Sequence, residues 1–314
     1  MNKVLIYHKI DKEYQDYLNG KYKDSNFIIC TAKEEMEKHI EDAEILVTFK
    51  FDKEMLEKAK KLRWIQALSA GVEKYPLEEI KKRGIILTNG RGIHKVHMAE
   101  YAICIMIMLS RNMHIIFQNK YKSKWDKKVK QGEINGATLG ILGLGSIGAE
   151  IAKKAYYMGM NVIGVKRNLT EIEYVDKIYL PEDICQVFKE SDYIINLLPS
   201  LGKTYKVIDK KYFDMMKKGA CFINMGRGST VNEEDMIQAL KDERIKAVAS
   251  DVFFTEPLPE DSPLWELENV IITPHICGES DKYFEKALPI IENNIRAYKG
   301  EGSFQNLIDF EKGY

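Results

Sequence analysis

The chain has 314 residues, which is long for a single hydrophobic core and predicts two domains. Lysine plus arginine and aspartate plus glutamate both number 47, so no global field attracts nucleic acid or an anionic membrane. Five cysteines are scattered without a C-x-x-C pair, which argues against a disulfide framework or zinc ribbon and favours a reducing cytosol. The most apolar segment, residues 99–109, is too short to span a bilayer. We therefore expect a cytoplasmic protein that binds neither nucleic acid nor a membrane.

Short β-rich runs alternate with helix-favouring segments through most of the chain, which predicts parallel sheets covered by helices. A first series of strands is predicted at 4–7, 27–30, 45–49, 64–68 and 84–89, with helical segments at 31–42 and 52–61. A second series is predicted at 138–143, 161–165, 177–180, 193–198, 220–225, 247–252 and 270–273. Long amphipathic segments at 98–112 and 281–298 flank the second series.

This layout predicts an α/β protein with two doubly wound parallel-sheet domains, one inserted into the other. A flavodoxin-like substrate domain would comprise residues 1–98 and 286–314, and a Rossmann-type dinucleotide-binding domain residues 99–285. The two crossings near residues 98 and 286 would act as a hinge, with the active site in the cleft between the domains.

The stretch "TLGILGLGSIGAEIAKKAYYMG" places Gly143, Gly145 and Gly148 in G-x-G-x-x-G spacing. An apolar strand precedes the glycines, and a helix-forming segment and another strand follow, which is the context of a dinucleotide-binding loop. The first glycine permits the tight turn, the second lets the pyrophosphate approach, and the third lets the helix pack on the strand. The amides of Ser146 and Ile147 then point at phosphate from a helix N-terminus.

Lys166, Arg167 and Asn168 follow the next predicted strand, at the place where NAD-binding sites carry an acidic residue for the ribose 2′-hydroxyl. Arg167 offers a planar fork that matches a 2′-phosphate, and Lys166 adds a second charge. Charge-assisted hydrogen bonds contribute about 1.5–3 kcal/mol each, so one or two change cofactor preference by about 10–100-fold or more. The alternative is a pair of solvated basic residues in a chain with 39 lysines. We predict that NADPH is preferred and that NADH can also bind.

Three downstream stretches, each after an apolar strand, supply Arg227, Glu256 and His275. These residues therefore lie at the carboxyl ends of strands, where open α/β sheets bind ligands. A guanidinium, a carboxylate and an imidazole are what hydride transfer to a 2-keto acid requires. Arg227 would hold the carboxylate and polarise the carbonyl, His275 would act as the general acid/base, and Glu256 would orient the imidazole.

The sequence resembles the D-isomer-specific 2-hydroxyacid dehydrogenase family over essentially its whole length. The matching stretches are "LGILGLGSIG", "NLLPS…KT", "INMGRGSTVNEEDMIQAL", "DVFFTEPLPEDSPLW" and "PHICG". The resemblance implies the same roles for Arg227, Glu256 and His275, with Asp251 holding the nicotinamide carboxamide. It further implies a homodimer and a cofactor site lined by Leu198, Pro199, Thr204, Met225 and Gly278. The turn "SAGVEKYP" is similar to the family's substrate-carboxylate loop, with the backbone amides of Ala70, Gly71 and Val72 as donors.

One segment departs from the family pattern, because Arg91, His94 and His97 stand where small or polar residues are usual. His94, His97 and Glu100 have a spacing that could present metal ligands on one helical face. A loop followed by a helix-initiating turn is the favoured interpretation, since no further ligand cluster is evident in the sequence. We therefore expect no bound metal.

The leading hypothesis is an NADPH-dependent oxidoreductase that interconverts a small 2-keto acid and its D-2-hydroxy acid. Glyoxylate, hydroxypyruvate and branched 2-keto acids all remain possible substrates. From a different class of function, the chain could be a cofactor-sensing binding module with little turnover, as are the family's transcriptional corepressors.

Overall fold

The structure is a computed structural model that describes residues 2–311, and it divides into two compact units. Unit 1 combines the described residues up to Ile93 with those from Ser280 onwards, and unit 2 is His94–Glu279. Each unit is an α/β domain built on one parallel sheet, and all twelve predicted strands are confirmed.

Unit 1 begins with five strands and four short helices in alternation. The strands are β1 (Asn2–Tyr7), β2 (Ser25–Cys30), β3 (Ile45–Thr48), β4 (Trp64–Ala67) and β5 (Ile86–Thr88). The helices are α1 (Lys12–Lys21), α2 (Lys33–Glu37), α3 (Lys53–Lys58) and α4 (Leu77–Lys82). The sheet has the order β2-β1-β3-β4-β5 with parallel pairing throughout, which is the flavodoxin-like arrangement. Helix α2 covers less of the chain than the predicted segment 31–42, since only Met36 is buried within the helix.

Unit 2 begins with two consecutive helices and continues with seven strands. The helices are α5 (Lys95–Ser110), α6 (Met113–Tyr121), α7 (Ser146–Tyr157), α8 (Ile184–Glu190), α9 (Lys210–Met215) and α10 (Glu233–Lys241). The strands are β6 (Thr138–Leu142), β7 (Asn161–Val165), β8 (Lys177–Tyr179), β9 (Tyr193–Asn196), β10 (Cys221–Asn224), β11 (Ala247–Ser250) and β12 (Val270–Ile272). Three of these strands, β9, β10 and β11, are buried at every position, which explains why the sequence shows them as continuous apolar runs.

The sheet of unit 2 has the order β12-β11-β10-β9-β6-β7-β8, again with parallel pairing. The chain moves outward from β6 through β7 and β8, then returns to β9 on the other side of β6. The position between β6 and β9 is therefore the topological switch point of a Rossmann-type fold. Helices α5 and α7 pack on one face of the sheet, and α8, α9 and α10 pack on the other.

The chain returns to unit 1 with α11 (Tyr283–Tyr298). This helix shares a hydrophobic cluster with α1 and with Val4, Ile6 and Val47 of the sheet. Beyond it, Leu307 forms an antiparallel bridge with Thr88. Among residues 2–311, no single helix has both the length and the apolar composition to cross a membrane. Helices α5 and α6 together have the required length and composition, but they are bent by 69° relative to each other.

Candidate active site

The predicted site residues of unit 2 all follow strands of one parallel sheet, so they share its carboxyl edge. The glycine-rich loop follows β6, and Leu197 and Leu198 follow β9, on the two sides of the switch point. Arg227, Glu256 and His275 lie on the loops after β10, β11 and β12 respectively. These strands follow one another in the sheet with increasing distance from the switch point.

The glycine-rich loop has the geometry that a dinucleotide phosphate requires. Gly143 has φ 109°, a conformation that favours glycine. A Cβ on Gly148 would lie 2.6 Å from the carbonyl oxygen of Gly143, so this glycine is required by the close packing of α7 on the loop. Gly145 precedes α7 with φ −90°, and a Cβ there would meet no atom within 4 Å. The protein itself does not need a glycine at position 145, and this open space in front of a helix N-terminus fits a pyrophosphate.

The end of β7 presents basic residues at the surface. The backbone N–H of Lys166 donates to Tyr179 at 3.0 Å, which extends the β7–β8 pairing by one residue. Arg167 and Asn168 are exposed, and the carbonyl of Asn168 accepts from Thr170 at 2.9 Å. The chain thus turns directly after the basic pair and leaves both cations at the carboxyl edge.

The loop after β9 is held by a side-chain hydroxyl. Thr204 Oγ1 donates to the carbonyl of Pro199 at 2.6 Å and accepts from the N–H of Leu201 at 2.8 Å. The N–H of Leu198 donates to Asn196 Oδ1 at 3.1 Å. Thr204 therefore fixes the shape of the segment that carries Leu198 and Pro199.

A buried amide network forms the base of the Arg227 turn. Asn196 Nδ2 donates to Asn224 Oδ1 at 2.9 Å and to Thr230 Oγ1 at 2.8 Å. Thr230 Oγ1 in turn donates to the carbonyl of Arg227 at 2.7 Å, and the guanidinium donates to the carbonyl of Gly226 at 2.9 Å. Asn196, Asn224 and Thr230 are at most 2% exposed, so this network is shielded from water and rigid. Met225 is also buried, at 2% exposure.

The Arg227 turn and the next loop are in backbone contact. A Cβ on Gly228 would lie 2.0 Å from the carbonyl carbon of Phe253, so only glycine fits there. The N–H of Phe253 donates to Glu256 Oε1 at 3.0 Å. The arginine turn therefore packs against the residue that anchors the glutamate.

Glu256 and His275 form a directly bonded pair. His275 Nδ1 lies 2.8 Å from Glu256 Oε2, while Oε1 is held by Phe253. This contact orients the imidazole so that Nδ1 carries the hydrogen and Nε2 is left for a ligand. His275 has φ 57°, in the left-handed region that a non-glycine residue adopts only where the surroundings enforce it. About half of the His275 side chain is exposed.

Asp251 enforces the conformation of the His275 turn. Its carboxylate, at 1% exposure, accepts from the N–H of Ile276 at 3.0 Å and from the N–H of Cys277 at 2.9 Å. Thr273 Oγ1 donates to the same carboxylate at 2.5 Å and is itself 2.6 Å from the hydroxyl of Tyr101 on α5. Burial and the neighbouring Asp251 charge raise the pKa of the Cys277 thiol, and the positive charge of Arg227 opposes that rise.

The two histidines that depart from the family pattern pack on the end of the same turn. His97 Nε2 lies 2.9 Å from the carbonyl of Gly278. A Cβ on Gly278 would lie 3.4 Å from Cδ2 of His94, so the imidazole covers this glycine closely. Within residues 2–311 no group of three or more His, Cys, Asp or Glu side chains is arranged to hold a metal ion.

The predicted carboxylate loop lies in unit 1, directly after β4. Its carbonyl groups are used within the unit: Asn89 Nδ2 donates to the carbonyl of Ala70 at 2.6 Å, and Ser69 Oγ donates to that of Gly71 at 2.7 Å. The carbonyl of Val72 accepts from the N–H of Tyr75 at 2.9 Å. These three hydrogen bonds fix the shape of the loop within unit 1.

Several residues that organise the site were not predicted. Tyr101 reaches Thr273 from a helix far away in sequence, so no local pattern indicates this contact. Asn196 and Asn224 did leave a signal, because "YIIN" and "CFIN" both place an asparagine at the last position of a buried strand. A buried amide repeated at the same register of two neighbouring strands needs a partner, and each is the other's partner.

These loops and the sheet order define an α/β protein with a Rossmann-type dinucleotide-binding unit. The family described as D-isomer specific 2-hydroxyacid dehydrogenase, NAD binding domain, matches residues 103–277. The chain belongs to the D-isomer specific 2-hydroxyacid dehydrogenase family, and unit 2 contains its NAD-binding domain.

Individual relatives agree with this assignment. The chain is 34% identical over 270 residues to a D-3-phosphoglycerate dehydrogenase of Methanocaldococcus jannaschii, a match that covers 84% of the chain and 51% of that protein. The chain thus spans about half the length of this relative. It is also 34% identical over 268 residues to a glyoxylate reductase of Thermococcus litoralis, covering 82% of the chain and 80% of that protein. Among solved structures, a D-isomer specific 2-hydroxyacid dehydrogenase family protein of Aeromonas salmonicida has a TM-score of 0.87 at 32% identity, covering 98% of this chain and 99% of that one.

Proposed function

We propose that this protein is an NADPH-dependent oxidoreductase that interconverts a small 2-keto acid and its D-2-hydroxy acid. In this proposal His275 is the general acid/base, Glu256 supports it and Arg227 binds the substrate carboxylate and carbonyl. The observation that carries the proposal is the 2.8 Å contact between His275 Nδ1 and Glu256 Oε2 at the same sheet edge as the glycine-rich loop. An imidazole fixed by a carboxylate is the arrangement that proton transfer to a carbonyl oxygen requires.

A nicotinamide cofactor held at the glycine-rich loop would supply or accept the hydride. The protein's part is to move a proton and to stabilise charge. For reduction, protonated His275 donates from Nε2 to the oxygen that becomes the alcohol, and Glu256 stabilises the imidazolium before transfer. Arg227 holds the anionic end of the substrate and polarises the carbonyl. Asp251 accepts hydrogen bonds from the N–H groups of Ile276 and Cys277 and thereby keeps the His275 turn in its left-handed conformation. In this proposal Asp251 contributes to nicotinamide binding partly by placing the 275–278 backbone.

This proton transfer has a pH signature with a definite sign. Reduction needs protonated His275, so kcat/KM for the keto acid falls as pH rises. Oxidation needs the neutral imidazole, so kcat/KM for the hydroxy acid rises with pH. Identical pH profiles in the two directions would argue against His275 as the acid/base.

The cofactor preference rests on the end of β7. Lys166 and Arg167 stand beside Asn168 at the edge that carries the glycine-rich loop, and an exposed guanidinium there suits a 2′-phosphate. Replacing Arg167 with Asp should lower the NADPH:NADH ratio of kcat/KM by about 100-fold, because it removes one charge-assisted hydrogen bond and adds a repulsive charge. Arg111→Asp, on an arginine elsewhere in unit 2, is the matched control. A wild-type enzyme that uses NADH as well as NADPH contradicts the preference and leaves the chemistry untouched.

The remaining roles complete the proposal. Unit 1 is the substrate domain, with the N–H groups of Ala70, Gly71 and Val72 binding the substrate carboxylate. A homodimer is supported by exposed apolar side chains on α6 and the segment after it, where Phe117 is 48%, Tyr121 86% and Trp125 89% exposed. We expect a cytoplasmic location, because the five cysteines are free thiols.

NADPH oxidation measured against 2-keto acids of graded size tests the proposal. Replacing His275 with Asn should lower kcat by about 100–10,000-fold, the range for loss of a general acid. Glu256→Gln keeps the shape of the side chain and removes its charge, so its kcat should lie between those of wild type and His275→Asn. His39→Asn, on a histidine of unit 1 whose Nδ1 lies 3.5 Å from Lys3 Nζ, serves as the control. Tight NADPH binding without turnover of any keto acid would show that the protein is a cofactor-sensing binding module rather than an enzyme.

A further inference from the structure

The sheet of unit 1 has its own switch point, between β1 and β3. The order β2-β1-β3-β4-β5 means that the connections leave β1 and β3 in opposite directions, which opens a crevice at their carboxyl ends. The first residue after β1 is His8, and the first after β3 is Phe49. The two rings meet edge to face with centroids 5.0 Å apart. An imidazole and a phenyl ring therefore occupy the place where folds of this order bind ligands.

This ring pair continues as a wall toward the proposed carboxylate loop. The ring of Phe49 lies 4.9 Å from that of Tyr283 on α11. The Tyr283 hydroxyl donates to the carbonyl of Leu68 at 2.7 Å. Leu68 is followed directly by Ser69 and the loop residues Ala70 to Val72. Thus His8, Phe49 and Tyr283 line one edge of unit 1, and the wall ends beside the N–H groups proposed to hold the substrate carboxylate.

His8 is the polar member of this wall. It is partly buried, and that burial lowers the pKa of its imidazole below the ordinary value of 6.5. At neutral pH the ring is therefore uncharged and has one N–H donor and one lone pair. A group of this kind interacts favourably with a hydroxyl, which both donates and accepts, and gains nothing from a methyl group.

We propose that His8 is a specificity-determining residue whose imidazole hydrogen-bonds a hydroxyl on the third carbon of the 2-keto acid, while Phe49 and Tyr283 cover the carbon itself. The proposal rests on the proposed function, and it names the preferred substrate class as 2-keto acids with a short hydroxylated side chain. The structural alternative is that His8 only fills space against Phe49, in which case a phenyl ring would serve equally well at position 8.

Four keto acids separate these possibilities. Hydroxypyruvate and 2-ketobutyrate carry side chains of almost the same size, a hydroxymethyl and an ethyl group. Pyruvate carries a methyl group, and glyoxylate has no side chain. For His8→Phe we expect the hydroxypyruvate:2-ketobutyrate ratio of kcat/KM to fall by about 10-fold, which corresponds to about 1.4 kcal/mol. Glyoxylate turnover should stay within about 2-fold of wild type, since glyoxylate has nothing for residue 8 to contact.

Two further variants make the result specific. His8→Asn retains a donor and an acceptor and should recover part of the ratio, and it also serves if His8→Phe does not fold. His39→Phe changes another histidine of unit 1, one whose Nδ1 lies 3.5 Å from Lys3 Nζ, and should leave all four rates unchanged. An unchanged ratio in His8→Phe with normal glyoxylate turnover overturns the role of His8 and leaves the proposed function standing.

Loss of the proposed function is distinguishable from loss of this inference. If wild-type protein turns over none of the four keto acids, the hydroxy acids D-glycerate and D-2-hydroxybutyrate can be compared by calorimetric binding to the NADP-loaded protein. Tighter binding of D-glycerate that is lost in His8→Phe supports the hydroxyl contact without turnover. Equal affinities for the two hydroxy acids refute it.

Discussion

Replacing Gly145 with alanine adds one methyl group at a point where no protein atom lies within 4 Å. Gly145 caps α7 with φ −90°, so alanine adopts the backbone without strain, and the loss of a glycine N-cap costs about 0.5–1 kcal/mol. A change of this size lowers Tm by about 1–4 °C in a unit of this length. The methyl group nevertheless occupies the space proposed for the pyrophosphate. We expect NADPH affinity to fall by 10-fold or more, about 1.4 kcal/mol.

The comparison variant is Gly148→Ala, whose expected effect is on the stability of the loop rather than on the open space beside Gly145. Its Cβ would lie 2.6 Å from the carbonyl oxygen of Gly143, so the loop must shift at a cost of about 1–3 kcal/mol. A gain of about 1 kcal/mol in helix propensity offsets part of that cost. Gly20→Ala in α1 meets nothing within 4 Å and should leave cofactor binding unchanged.

Thermal unfolding without cofactor and NADPH titration by fluorescence give the two readouts separately. If Gly145→Ala binds NADPH as tightly as wild type, the pyrophosphate does not approach this residue. If Gly145→Ala instead unfolds at a much lower temperature, the space beside the glycine is not open as described.

Three other perturbations test contacts and burial within unit 2. Tyr101→Phe removes the hydroxyl beside Thr273, so kcat should fall about 3–10-fold with at most about 1.5 kcal/mol lost in stability; an unchanged kcat and pH profile would show that Tyr101 does not help to position the His275 turn. Gly228→Ala forces a Cβ to within 2.0 Å of Phe253 and should cost about 3 kcal/mol in urea unfolding, whereas near-native stability would contradict the backbone contact. Burial, and secondarily the nearby Lys246 charge, lower the pKa of His114, so the unfolded state binds more protons below about pH 6.5 and stability falls as pH drops, by at most about 1.4 kcal/mol per pH unit. In His114→Gln this acid-side loss in Tm should be smaller, and an equal loss in both proteins would assign it to other groups.

The strands were predictable because each is a short apolar run buried in a parallel sheet, as "YIIN" and "AVAS" illustrate. Helix lengths were less predictable, since the charged segment 31–42 has helix-favouring residues but keeps only Lys33–Glu37 helical. Propensity alone does not sustain a helix that buries so little apolar surface.

The residue types of the candidate site could likewise be predicted, because chemistry at strand ends leaves a mark in the sequence. The contacts that fix these residues could not. The approach of Gly228 to Phe253 and the hold of Asp251 on Cys277 join loops from different strands. Such contacts depend on the separation of backbones in space, which no spacing along the chain specifies.

Unit 1 is made from two stretches of chain with all of unit 2 between them, and this has a consequence for its synthesis on the ribosome. The apolar face of β1 and β3 that includes Val4, Ile6 and Val47 is completed by α11, which emerges only after unit 2 has been translated. The nascent first segment, in which only α1 covers part of this face, therefore carries an incompletely covered apolar surface while the second unit is already able to fold. Chaperones that shield such surfaces have a defined interval in which to act on this protein, and slowing translation after residue 93 would lengthen it.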